Sequence, residues 1–240
     1  MEVLSFVLKG RMAHFKNPEN NLNVELTYGN IHKPALLGLL GAVVGLKGRN
    51  QYKELGYIEY YKELKDLEIA IVPHKPYWNK FIDELTNTTG FANKQFNQII
   101  KRQYLENVSW NIYIRQNTVK DELWQTLKFN LLNGISYYHI SLGGRKNIAR
   151  IERVEILEDK KVDKIDYCDS IIKFKNVNNI FKDTISDSWE KAFCLKENMP
   201  IGLEGNTLYN KEDLIFTSNK LTFKQDVDIY KVKNNYVSYM

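Results

Sequence analysis

Residues 10–49 read GRMAHFKNPENNLNVELTYGNIHKPALLGLLGAVVGLKGR, and this stretch decides the predicted fold. Its first part is basic and extended in pattern, and a polar loop leads from it to the turn His32-Lys33-Pro34. Proline is favoured in the first turn of a helix, where a missing N–H costs no hydrogen bond. The apolar residues that follow therefore predict a helix over 34–46, which ends at a cation-glycine-cation triplet.

The predicted helix carries small residues at helical spacing. Gly38, Gly41, Ala42 and Gly45 fall three or four positions apart and form one flat stripe. Each helical glycine costs about 1 kcal/mol relative to alanine, so the stripe indicates close approach of another backbone. The apolar run is shorter than the ~20 residues of a membrane span, and its glycines lie inside the helix, unlike those of phosphate-binding loops. We interpret the helix as buried against a sheet, with a polyanion-binding edge formed by the basic segment before it.

The chain of 240 residues has a formal net charge of +5 and an isoelectric point near 8.9. Residues 1–50 hold six Lys and Arg against three Asp and Glu, whereas acids and bases alternate after residue 152. This modest basic excess suits a polyanionic partner, but many enzymes share it. The two cysteines lack the spacing of a zinc site or disulfide framework, and the first residues lack a signal-peptide pattern. We therefore expect a cytoplasmic protein with no metal, cofactor or membrane contact.

Hydrophobic periodicity predicts an α+β fold. Strands are predicted at 2–9, 67–73, 108–115 and 149–157, and helices at 34–46 and 119–132. The order β-α-β-β-α-β is that of a ferredoxin-like domain, the arrangement of RRM and RAMP proteins, here over 1–157. A β-rich appendage is predicted over 158–240, with strands at 170–177, 220–223 and 226–232 and turns at 200–202 and 204–206.

A long insertion, 75–107, separates the second and third predicted strands. A hairpin needs only a few residues here, and longer insertions are usually functional or disordered. The aromatic residues of the segment argue against disorder. They are mixed with amides and with Lys94, Lys101 and Arg102, a combination that offers stacking faces and phosphate partners to single-stranded nucleic acid. A protein-docking arm is the alternative interpretation of this insertion.

The segment SLGGRKN at 141–147 joins the second predicted helix to the fourth predicted strand. Gly143 and Gly144 would let the backbone approach a ligand closely, and Arg145 and Lys146 would supply phosphate contacts. An ordinary turn with solvated charges is the alternative. We favour the functional interpretation because basic and aromatic residues flank the segment, namely Tyr137, Tyr138, His139 and Arg150.

The start of the chain resembles CRISPR-associated protein family five, and most closely its type I-B branch. The residues that carry the resemblance lie at 3–6, 13–16, 28, 34 and 36–42. Members of this family are RAMP subunits that cap the 5′ handle of the guide RNA (crRNA) in the type I interference complex, Cascade. The resemblance implies that the insertion 75–107 is a thumb, which reaches along the RNA and contacts the neighbouring backbone subunit. It also implies a leucine-glycine-basic turn at the position of Leu142 to Arg145.

RNA cleavage without a metal would need a base, an acid and a cation beside the phosphate. His14, His32 and His139 are candidate bases or acids, with Tyr28 and Lys146 as possible assistants; His74 is interpreted as a turn residue. The type I-C branch of the resembled family cleaves RNA with a Tyr, Lys and His set, and this sequence lacks a clear Lys-His pair after its third predicted strand. We therefore expect no catalysis.

The resulting hypothesis is a non-catalytic subunit that binds the crRNA 5′ handle, together with the backbone and large subunits of the complex, and meets target DNA only indirectly. A metal-independent endoribonuclease and a protein-interaction module without RNA binding remain the alternatives. The predicted RNA-binding residues are Arg11, His14, Lys16, His32, Lys33, Lys94, Lys101, Arg102, Gly143, Gly144, Arg145 and Lys146.

Overall fold

The computed structural model of the protein describes residues 1–19, 23–49, 52–87, 98–184, 192–205 and 208–240. The helices of this part of the chain are Lys33–Val44 (α1), Tyr52–Leu55 (α2), Glu59–Leu64 (α3) and Asp121–Leu132 (α4). None of them has the length and apolar character needed to cross a membrane. The strands are Glu2–Ala13 (β1), Val24–Glu25 (β2), Glu68–Pro73 (β3), Asn79–Asn87 (β4), Gln98–Arg115 (β5), Arg150–Glu158 (β6), Lys160–Val162 (β7), Ile172–Lys173 (β8), Val177–Thr184 (β9), Cys194–Glu204 (β10), Leu208–Thr217 (β11), Asn219–Phe223 (β12), Ile229–Val232 (β13) and Asn235–Val237 (β14).

β1 and β5 form the centre of the largest sheet. β1 pairs with β5 on one side and with β6 on the other, and β3 pairs with the far side of β5. The four strands therefore lie in the order β3-β5-β1-β6, and every neighbouring pair is antiparallel. The first half of β5 extends beyond this sheet and pairs with β4, while β2 pairs with it in parallel over two residues.

The two faces of the main sheet are covered differently, because alternate residues of a strand point to opposite sides. Leu4, Phe6 and Leu8 of β1 pack with α1 and α4 in the main core. On the other face, Val3 packs with Val232 and Val237 of the small sheet β14-β13-β7. This small sheet covers only one end of the face.

The segment 158–240 consists mainly of strands, in three small sheets, and it shares the main core. The sheets are β10-β11-β8, β12-β9 and β14-β13-β7. Met199 of β10 and Leu214 and Phe216 of β11 lie in the same cluster of buried side chains as the residues of α1. The described part of this segment is therefore packed into the body of the protein.

Local signals explain α1. His32 is its N-cap, Pro34 lies in its first turn, and Gly45 ends it in the left-handed conformation at a φ of 83°. Gly38 and Gly41 of the predicted stripe contact Tyr60 of α3 rather than a sheet, whereas Gly45 lies against the ring of Tyr137 in the loop after α4. A Cβ atom on Gly41 would lie 2.4 Å from Cβ of Tyr60, so only glycine allows α3 to pack at this distance.

Three sequence-based predictions of secondary structure need correction. The predicted strand 108–115 is the second half of β5, whose first half forms a hairpin with β4. Most of the described thumb is thus this hairpin, and residues 88–97 lie outside the described part. The predicted turn at 200–202 lies within β10, where the pairing is irregular between Pro200 and Gly202, and such an irregularity accommodates a strand proline. The predicted strand 170–177 contains only β8, followed by a 3-10 turn at Phe174–Asn176.

Candidate nucleic-acid interface

The end of the main sheet that β13 and β14 leave uncovered forms an open groove of about 840 Å³, here called the sheet-face groove. Residues of β1, β5 and β6 form most of its lining, and the loop before β6 forms the rest. The side chains that line it are Lys9, Arg11, Met12, Asn107, Val108, Ser109, Lys146, Ile148, Arg150 and Glu152, together with Gly10. Four cations against one acid make this surface attractive to a polyanion.

Strand register brings residues from distant parts of the sequence into one row. Lys9 is the pairing partner of Arg150 on β6 and of Ser109 on β5. Neighbouring strands lie about 4.8 Å apart, so these three residues cross the sheet side by side. Lys9 forms an ion pair of 2.8 Å with Glu152. Arg11 and Arg150 are exposed and have no ion-pair partner among the described residues.

The turn between α4 and β6 places Lys146 over this row. Leu142 donates its N–H to the carbonyl oxygen of Asn147 at 2.7 Å, and its own carbonyl accepts from the N–H of His14 at 3.1 Å. Gly143 has a φ of 84°, and a Cβ atom there would lie 1.8 Å from the carbonyl oxygen of His14. The close approach predicted for this glycine is therefore to the protein's own backbone, not to a ligand.

The other residues of the turn differ in what the structure requires of them. Gly144 has room for a side chain, because a Cβ atom would meet only the Asn147 side chain at 3.4 Å. Arg145 and Lys146 are exposed, with no ion-pair partner in the described part of the chain. These two cations and Gly144 stay predicted RNA contacts, whereas Gly143 is required by the conformation of the turn.

His14 is buried, and we remove it from the predicted RNA-binding set. Its Nδ1 atom donates to the carbonyl oxygen of Gln103 at 2.7 Å, and its ring tilts against Tyr104. Its Nε2 atom is buried without a hydrogen-bond partner, and burial lowers the pKa of the ring. The residue joins the end of β1 to β5 and does not reach solvent.

His32 is also buried and serves as the N-cap of α1. Its Nδ1 atom accepts the N–H of Ala35 at 3.2 Å, and the rings of Phe15, Tyr28 and Tyr209 surround it edge-on. Burial lowers the pKa of His32 to about 3. The histidine of the His-Lys-Pro turn is therefore a neutral capping residue and not an RNA contact.

The buried His32 predicts a specific loss of stability in mild acid. An unfolded histidine titrates near 6.5, so between pH 6.5 and about 3 the unfolded chain binds a proton that the folded chain excludes. The free energy of unfolding therefore falls as the pH falls through this window. His32→Asn keeps a good N-cap and removes the titrating ring. Between pH 7 and pH 5 we expect the wild type to lose about 2 kcal/mol more than this variant in urea unfolding. Parallel pH profiles for the two proteins would contradict the assignment.

The remaining predicted cations are mostly bound within the protein. Lys33 donates to the carbonyl oxygen of Met240 at 3.0 Å, and burial lowers its pKa to about 8. Lys16 pairs with Glu25 at 2.5 Å, and Arg102 donates to the same carboxylate at 2.6 Å. An internal carboxylate thus neutralises part of the charge that was predicted to face RNA.

Two thumb residues complete the predicted set. Lys101 of β5 pairs across the hairpin with Glu84 of β4 at 3.0 Å, and both side chains are half exposed. Such a surface pair is weak, and an incoming phosphate could displace it. Lys94 lies outside the described residues. The described thumb therefore offers fewer free cations than its sequence suggests.

Burial also removes most of the candidate catalytic residues. His14, His32 and Tyr28 are all buried, so none can abstract a proton from an RNA hydroxyl group. His74 and His139 are exposed. In the part of the chain that the structure describes, no group of three or more His, Cys, Asp or Glu side chains could hold a metal ion.

Sequence reasoning did not assign Lys9, Asn107 or Ser109 to the site, and it used Arg150 only as a flank of the 141–147 turn. They were missed because β1 was predicted to end at residue 9 and the strand register was unknown. Predicting the pairing of β1 with β5 and β6 would have placed all four in one surface. The alternation of polar side chains along 107–111 was the available signal.

No protein-family model matches the chain, and no curated protein matches it at a significant level. Two solved structures resemble it over almost their whole lengths. A CRISPR protein from Archaeoglobus fulgidus gives a TM-score of 0.51 at 9% identity, with 99% of this chain and 98% of that chain covered. A chain of a CRISPR RNA-guided surveillance complex gives a TM-score of 0.50 at 14% identity, with 91% of each chain covered. At these identities the likeness shows a shared α+β fold.

Proposed function

We propose that this protein is a non-catalytic, RNA-binding subunit of a type I CRISPR interference complex, of the I-B kind, that caps the 5′ handle of crRNA. The observation that carries the proposal is the sheet-face groove, where Arg11, Lys146 and Arg150 are exposed and lack ion-pair partners in the described part of the chain. Cations left free in a concave surface suit phosphate groups, because binding releases the counterions of the nucleic acid.

The strand order supports the family part of the proposal. In the β-α-β-β-α-β order the elements are β1, α1, β3, β5, α4 and β6, and β5 lies between β1 and β3. We interpret this arrangement as a ferredoxin-like RAMP domain over 1–157. Fold alone does not assign function. The likeness to two CRISPR structures therefore supports the proposal only together with the cations of the groove.

The groove favours a flexible strand over a duplex. Its charges follow three adjacent strands and a turn, and its floor offers Asn107, Ser109 and the exposed Ile148 between the cations. Polar and apolar groups in the groove lining can contact unstacked bases, whereas the bases of a duplex are stacked within the helix. A crRNA end would lie here while the thumb and the remaining surface meet the backbone and large subunits, with target DNA bound only through the complex.

Burial of the candidate bases supports a non-catalytic role. The endoribonuclease alternative would now depend on His74 or His139, since the other histidines do not reach solvent. Lys146 lies in the groove, yet the groove lining contains no histidine that could act beside it. The protein-interaction alternative leaves the unpaired groove cations without a role.

Binding of a labelled single-stranded 5′-tag RNA, followed by fluorescence anisotropy, tests the proposal. Three phosphate contacts give a slope of about −2 for log K against log salt, because each contributes about −0.7 on a single strand. Raising salt from about 50 to about 200 mM should then weaken binding roughly 15-fold. The RNA should stay intact in EDTA. No binding at the lower salt would favour a protein-interaction module, and one discrete cut would favour an endoribonuclease.

A further inference from the structure

His74 extends the row of groove residues by one strand. It follows β3 directly, and its backbone N–H donates to the carbonyl oxygen of Ser109 at 3.1 Å. This bond continues the β3–β5 pairing, in which Pro73 is the partner of Trp110. Arg150, Lys9, Ser109 and His74 therefore occupy neighbouring positions on β6, β1, β5 and the end of β3.

Two side chains of β5 hold the imidazole ring of His74. Its Nδ1 atom lies 2.8 Å from the hydroxyl oxygen of Ser109, and its Nε2 atom lies 2.8 Å from the amide oxygen of Asn111. An amide oxygen only accepts, so Nε2 carries a hydrogen and donates it to Asn111. The two contacts together hold the ring in one orientation.

The held ring presents its faces rather than its nitrogens. Both nitrogen atoms have hydrogen-bond partners on β5. No aromatic ring or cation contacts the His74 ring among the described residues, and the residue is exposed. Such a histidine offers a flat surface on which an unpaired base can stack.

The distance along the row suits one nucleotide and its neighbour. Lys9 is two strands from His74 and Arg150 is three, or about 10 and 14 Å at normal strand spacing. If a base lies over His74, the neighbouring phosphate groups of the RNA would cross β5 towards Lys9 and Arg150. Ser109, between them, is polar and small, so it leaves room for a sugar.

We propose that His74 is a base-stacking platform beside the sheet-face groove, next to its lining residue Ser109, and that Ser109 and Asn111 are positioning residues that hold its ring. The bound class is a single-stranded RNA with an unpaired base over His74 and phosphates at Lys9 and Arg150. This inference rests on the proposed RNA-binding function and specifies where the groove reads a base.

Replacing the ring tests the platform. His74→Ala should weaken binding of the single-stranded 5′-tag RNA about 5- to 10-fold, the lower part of the range for loss of one base–aromatic stack. His74→Phe keeps a flat ring without the hydrogen bonds and should stay within about 3-fold of the wild type. His139→Ala is the matched control, since this histidine is also exposed but lies in the loop after α4 and not in the row of paired strand residues, and it should leave binding unchanged.

Abasic substitutions in the RNA provide a readout that does not depend on how the variants fold. One abasic position should weaken binding to the wild type about as much as His74→Ala does, and the same position should have no effect on that variant. If the wild type binds RNA with the expected salt dependence but no abasic position depends on His74, the platform alone is overturned. If the wild type binds no RNA, the proposed function falls as well.

Discussion

Replacing Arg11, Lys146 and Arg150 together by alanine is expected to weaken binding of single-stranded RNA by about 100-fold at about 0.1 M salt. These residues line one groove, and they have no ion-pair partner in the described part of the chain, so each can neutralise a phosphate. Loss of three contacts should also flatten the salt dependence by about 2 in slope. Anisotropy titrations at several salt concentrations measure both effects.

A second triple variant separates groove contacts from net charge. Lys65, Lys160 and Lys164 are exposed cations near the opposite ends of the strands, where Glu68 pairs with Arg115 and Glu2 with Glu158. Their replacement by alanine removes the same charge and should change affinity less than about 5-fold. Equal weakening by the two triple variants would show that the groove has no special role.

The paired cations give a further comparison. Lys16 and Arg102 share Glu25, so removing either leaves a carboxylate that the other still neutralises. We expect Lys16→Ala to change RNA affinity less than Arg11→Ala, although both residues are exposed cations close together in the sequence. The reverse order would place the RNA on the β2 side of the molecule.

Replacing Arg115 by alanine is expected to lower the free energy of unfolding by about 3–5 kcal/mol. The side chain is buried at the end of β5 and donates to Glu68 at 2.8 Å and to Asp159 at 2.9 Å. Its guanidinium carbon lies 4.3 Å from the centre of the Tyr230 ring and 4.1 Å from that of Tyr239. The variant would leave the buried Asp159 carboxylate with only the exposed N-terminal ammonium group as counter-charge, leave Glu68 without its arginine partner, and remove one contact between the main sheet and the C-terminal strands.

Urea unfolding at constant pH measures this loss. Arg145→Ala is the matched control, because it removes an exposed arginine without an ion-pair partner among the described residues and should cost less than about 0.5 kcal/mol. Adding Asp159→Asn to Arg115→Ala should restore part of the lost stability, since it removes the buried charge that would then pair only with the exposed N-terminal ammonium group. A cost below about 1 kcal/mol for Arg115→Ala would mean that this buried network does not hold the C-terminal strands in place.

Much of the fold could be predicted from local signals. The His-Lys-Pro turn and the Lys47-Gly48-Arg49 triplet predicted a helix at 34–46. α1 spans Lys33–Val44 and ends at Gly45, which was predicted to lie inside the helix. The leucines at helical spacing predicted a helix at 119–132, and α4 spans Asp121–Leu132. Strand bounds were less accurate, because the extension of β5 depends on pairing with β4, and β4 was not recognised in the sequence.

The candidate site was predicted only in part, because the sequence shows which residues are cations but not which of them form ion pairs. Arg11, Arg145 and Lys146 are exposed as expected, whereas His14, His32 and Lys33 face inward. Glu25, which neutralises Arg102, lies 77 positions away in the sequence. No local pattern shows that such a pair will form.

The sequence by itself determined the positions of the two longest helices, which runs are apolar enough to form the core, and that the first two-thirds carry the positive excess. These properties depend on a residue and its near neighbours, and capping, periodicity and composition express them directly. Only the tertiary structure decided which cations stay free and that Lys9, Arg11, Ser109, Lys146 and Arg150 share one surface. The reason is physical: ion pairing and strand register act between residues far apart in the chain, and both are settled only when the strands lie side by side.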